Sequence, residues 1–169
     1  MQELPEVWLR GAVEGYHPLV LPVAHSLLQV REDIARLART VPAEQVWLRP
    51  GRAASIGFHV RHIGGALDRL LTYARAESLS QAQRIALQQE EDPGDPPASL
   101  AAVAGEAAVI IDRALAQLRG TGPEALMEAR RVGRAGLPST VLGLFVHVAE
   151  HSTRHAGQAI TTALILESR

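Results

Sequence analysis

The sequence predicts an all-α protein, a four-helix bundle with short extra helical segments in its connections. Four long segments repeat their apolar residues every three or four positions, the spacing of one face of an α-helix. No stretch reads as a convincing strand, because the period of 3.6 holds throughout. Segments of about 20 residues, at 1.5 Å rise, make helices about 30 Å long, the size of such a bundle. The 169 residues are expected to form one domain, 1–169.

The first long helix is expected from about Pro18 to Val41, with Leu27, Val30, Ile34, Leu37 and Val41 on one stripe. Pro22 allows either a start there or a kink, and Pro42 marks the end. After a loop through Trp47, Pro50 and Gly51, Ser55 is the expected N-cap of the second helix, which reaches about Ala76. Its stripe mixes Ile56, Ile63, Ala66, Leu67, Leu70 and Leu71 with His59 and His62. Ser80–Glu90 has helical composition and a polar surface, and Glu90–Pro97 (EEDPGDPP) reads as a linker. The third long helix is expected from Ser99 to Leu118, with Val103, Ile110, Ile111, Leu115 and Leu118 inward and Gly120 closing it. Gly120–Gly136 is irregular and carries Arg130, Arg131 and Arg134, which suit loop solvation better than recognition of an anion. The last helix is expected to open at Leu137-Pro138-Ser139 and to run to about Glu167.

Composition narrows the chemistry. Apolar residues at 47% and charged residues at 21% argue against wholesale disorder. A net charge of −1 offers no basic surplus for nucleic acid or an anionic membrane. Without cysteine there can be no disulfide, thiolate zinc site or cysteine nucleophile. All 17 basic residues are Arg, so Schiff-base chemistry and a P-loop lysine are excluded as well. The longest apolar stretch, Leu137–Ala149, is interrupted by Pro138, Ser139, Thr140 and His147, too short for a membrane span. The segment MQELPEVWLRG lacks the basic and apolar regions of a signal peptide, so a cytoplasmic location is expected.

Five of the seven histidines fall in two windows, GFHVRH (His59, His62) and HVAEHSTRH (His147, His151, His155). Imidazoles four apart on a helix share a face and can converge on one metal ion at about 2.0–2.1 Å from each nitrogen. A third, two turns from the first, cannot join them, so a mononuclear site takes one adjacent pair and a histidine from another helix. Spacing leaves the pair open. His151/His155 has Gly157 and Gln158 beside it, suited to close packing and to a supporting hydrogen bond. His59 and His147 fit hydrogen-bonding or rim positions, and His17 and His25 structural ones. Gly64-Gly65 costs about 1 kcal/mol per residue inside a helix and suggests close approach of another helix. Glu150 lies about 100° around the helix from His151 and is expected to face elsewhere.

Taken together, SIGFHVRHIGGALDRLL and LPSTVLGLFVHVAEHSTRHAGQAITTALIL resemble the DinB/YfiT-like superfamily of metal-binding four-helix bundles. The shared order is a histidine on the second long helix, then His-x3-His followed by Gly-Gln on the last. The resemblance implies a fold of the DinB/YfiT type with metal ligands His62, His151 and His155. It places Gln158 at the family's glutamine, and leaves His59, His147 and Gln158 as candidates for supporting roles around the ligands. It further implies one divalent ion, zinc or nickel first, and a homodimer acting on a small molecule. Relatives include S-transferases and isomerases that use bacillithiol or mycothiol, and metal-dependent hydrolases. An enzyme of this kind would activate a low-molecular-weight thiol or a water at the three-histidine site. The alternative is a non-catalytic bundle in which the ion staples two helices and a fourth protein ligand closes the site.

Overall fold

Leu27, Val30, Ile34 and Leu37 recur at three and four residues and are all buried, so one face of α1 (Leu21–Thr40) is committed to an interior. The computed structural model describes residues 4–168. Of the amino-terminal segment considered above for a signal peptide, residues 1–3 lie outside the description, as does residue 169. α1 starts at Leu21 with Pro22 in its first turn, where the missing N–H costs no helical hydrogen bond. α2 (Ile56–Ala74) is capped by Ser55, whose hydroxyl accepts from the Phe58 N–H at 3.1 Å. α3 (Gln81–Gln88) starts with a reciprocal box between Ser80 and Gln83. α4 (Leu100–Gly120) is capped by Ser99. Single 3-10 turns at Val7–Arg10, Ala43–Gln45 and Pro123–Ala125 fill the connections.

Two short strands correct the expectation that none is present. β1 (Ala129–Val132) pairs antiparallel with β2 (Leu137–Thr140), Ala129 opposite Thr140 and Val132 opposite Leu137. Gly133 and Gly136 both have positive φ (69° and 61°) in the connection that returns the chain. The last helix, α5 (Val141–Glu167), therefore begins four residues later than expected, with Thr140 rather than Leu137-Pro138-Ser139 at its entry. The Thr140 hydroxyl accepts from the Gly143 N–H at 3.0 Å. Arg130 fastens the hairpin to the end of α2 by donating to the Ala74 carbonyl at 2.7 Å, and it pairs with Glu128 at 2.8 Å.

α1 and α2 each pack against both α4 and α5, so consecutive helices α1 and α2 occupy opposite corners of the bundle. The segment between them must cross one end of the bundle, and Trp47 anchors it. Its indole donates to the Ala98 carbonyl at 2.8 Å and lies under the Arg61 guanidinium at 4.5 Å. Gly57 leaves the space for that ring: a Cβ there would come within 2.8 Å of it. The interior is built almost wholly from Ala, Leu, Val and Ile, with Phe145 as its one fully buried aromatic side chain among the described residues. No described helix is long and apolar enough to cross a membrane.

Candidate metal centre

The pairing of α2 with α5 decides which histidines meet. Three residues on a helix turn about 300°, so His59 and His62 stand about 60° apart on α2. His59 points into the interior, at 6% exposure, while His62 is only half-buried and faces α5. His62 Nε2 lies 2.9 Å from His151 Nε2. The His62 and His155 rings are 4.5 Å apart between centroids, and those of His151 and His155 4.6 Å. Each of His62, His151 and His155 offers one ring nitrogen within 4.8 Å of the other two. Nitrogens that share an ion at about 2.0–2.1 Å stand about 3 Å apart, so three imidazoles in this arrangement fit a divalent ion.

The remaining histidines take other places. His59 Nδ1 meets His155 Nδ1 at 3.0 Å and so adjoins the cluster from its buried side. His147 is exposed, 5.4 Å from the His151 ring, with Nδ1 3.4 Å from Glu150. Glu150 faces solvent and binds Arg154 at 2.9 Å. His17 accepts from the Leu19 N–H, and His25 sits 3.1 Å from the Gly11 carbonyl, both away from the cluster. Gln158 and Gly157 are exposed, and a Cβ on Gly157 would meet open space, so the close packing expected there is absent. Close approach occurs instead at Gly64, where a Cβ would lie 3.2 Å from the Ala107 Cα of α4.

Glu90, which the sequence places in a linker, joins the site. It is 5% exposed, and its carboxylate accepts from His62 Nδ1 at 2.6 Å and from Arg69 at 2.7 Å. Gly65 leaves room for it: a Cβ there would fall 2.4 Å from Glu90 Oε1 and 2.8 Å from the Arg69 guanidinium. The available signal was Arg69, seven residues after His62 on the same helical face among Leu67, Leu70 and Leu71. A guanidinium in an apolar stripe calls for a buried acid. Phe58 stacks on the His62 ring at 5.3 Å and 16°, covering its other side.

Burial, and then the neighbouring charge of His62, push His151 and His155 down to about 4 in the metal-free protein. His59 is lowered by the same two causes. Burial works against ionisation of Glu90, but hydrogen bonds from His62 and Arg69 prevail and hold its carboxyl below the usual range. For His151 and His155 the folded state binds protons less readily than the unfolded chain, whose imidazoles titrate near 6.5. Their contribution to stability is therefore complete above about pH 6.5 and is lost as pH falls toward 4. Thermal melts of metal-free protein should show a Tm that declines across that interval. A Tm unchanged from pH 7 to pH 4.5 would contradict this.

A family model described as the DinB superfamily matches residues 26–159, about four-fifths of the chain, a span that includes all three clustered histidines and Glu90. A search of curated proteins returns no match. With a helical bundle in place and the family model covering most of its length, the chain belongs to the DinB superfamily.

Proposed function

We propose that His62, His151 and His155 hold one divalent metal ion, zinc or nickel, and that the protein is a metal-dependent enzyme acting on a small molecule. The observation that carries this is the convergence of three imidazoles from two helices. Three protein ligands leave coordination positions for water or substrate, as catalytic sites do. When bound, the ion would lower the pKa of a coordinated water or thiol toward neutrality. The chain has no cysteine, so a thiol must come from a cosubstrate of low molecular weight. Both S-transfer and hydrolysis are compatible with such a site, and the family resemblance favours S-transfer. The chain's own part is to fix the imidazoles, with Phe58 against His62 and His59 against His155. In this reading His147, exposed and 5.4 Å from the His151 ring, is the candidate for passing a proton to solvent. A homodimer and a cytoplasmic location accompany this reading and rest on the family resemblance and the sequence respectively.

Cobalt loading tests the proposal, because its visible spectrum reports coordination. One ion per chain is expected, with a spectrum that changes when a small thiol is added. Protein that takes up no cobalt, zinc or nickel would exclude the centre. A stoichiometric ion whose spectrum ignores added thiol would instead support the structural staple with four protein ligands.

A further inference from the structure

We propose that Glu90 is a positioning residue that fixes which nitrogen His62 presents to the ion. The inference rests on the metal centre proposed above and adds a part of the chain to it, the connection between α3 and α4.

An ionised carboxylate only accepts hydrogen bonds, so the 2.6 Å contact with Glu90 makes His62 Nδ1 the donor. The lone pair of a neutral His62 then sits on Nε2, the atom that faces His151 at 2.9 Å. Three features hold the carboxylate in place. Arg69 takes its second oxygen at 2.7 Å. Gly65 gives up its side chain at a position where even a methyl group would strike both partners. Arg61, itself stacked on Trp47, donates to the carbonyls of Gln89 and Asp92, on either side of Glu90. Alone, the first two are unfavourable or neutral: a buried ion pair seldom repays its desolvation, and glycine weakens a helix interior. They share one outcome, a carboxylate held against a single nitrogen of a single ligand. Such partners set the orientation and basicity of a metal-binding histidine, and their removal lowers metal affinity about 10- to 100-fold.

The test compares wild type with Glu90→Gln and with the double variant Glu90→Ala/Arg69→Met. The double variant removes the carboxylate without stranding a buried guanidinium. Nitrogen-detected NMR of the metal-free proteins reads the His62 tautomer, and zinc competition titrations read affinity, on samples whose helical content matches wild type. Wild type should show His62 protonated on Nδ1. The double variant should lose that preference and bind zinc about 10- to 100-fold more weakly. Glu90→Gln keeps an acceptor oxygen, so it should retain the tautomer and lose less affinity; that graded recovery is not expected if Glu90 merely braces the connection. A folded double variant with the wild-type tautomer and wild-type affinity would overturn the role and leave the centre standing. Wild type that takes up no zinc or nickel would overturn the centre, and the role with it.

Discussion

Replacing His151 by alanine should reduce zinc or nickel affinity by more than about 100-fold, beyond the loss that follows removal of a supporting partner. His62→Ala and His155→Ala should do the same, while His147→Ala should leave stoichiometry and affinity close to wild type. The contrast follows from packing across helices. On α5 alone the pairs 147/151 and 151/155 are equivalent, each four residues apart. Only the second pair has both rings against His62, at centroid distances of 5.0 Å and 4.5 Å. His147 adjoins His151 alone and spends its Nδ1 on Glu150. Elemental analysis of dialysed, tag-free proteins, followed by competition titration, measures the effect. One ion per chain in His151→Ala, held as tightly as in wild type, would show that the cluster is not the binding site.

Where burial follows from local spacing, the sequence was a sufficient guide. Leu27, Val30, Ile34 and Leu37 on α1 and the Ser55 cap could be read from residues within a few positions of one another, and each lies where expected. The two histidine windows were visible for the same reason. What spacing could not supply was the choice between His59 and His62, because a turn of about 60° matters only once α5 is in place. Its mapping to His62 came from family resemblance instead. Glu90 was hidden by its neighbours: Glu91, Asp92 and the Pro-Gly run gave its segment the composition of a solvated connection, yet Arg61 and Arg69 draw that segment onto α2. The hairpin was missed because four-residue strands such as ARRV and LPST show no clear alternation, and their pairing is set by the Gly133–Gly136 turn. A proline near the start of LPST also mimics the first turn of a helix.

Phe145→Ala should cost about 3–5 kcal/mol of stability while leaving the metal centre intact in the folded protein. Phe145 is completely buried, on the α5 face that also carries Val141, Leu144 and Val148 into the core. In an interior otherwise made of small aliphatic side chains, no large neighbour is at hand to refill the space it vacates. For a chain of this size each kcal/mol lowers Tm by about 2–4 °C, so a fall of about 6–20 °C is expected in melts of the metal-free proteins. Binding to the folded state alone adds stability by mass action, about 2.7 kcal/mol at an ion concentration 100 times Kd. Zinc should therefore raise the Tm of Phe145→Ala by as much as it raises that of wild type, from a lower starting point. His151→Ala should behave in the opposite way, with a metal-free Tm near wild type and almost no rise on adding zinc. If Phe145→Ala stayed folded at the assay temperature yet gained nothing from zinc, the core and the centre could not be separate, because the histidine cluster would depend on the packing of that one ring.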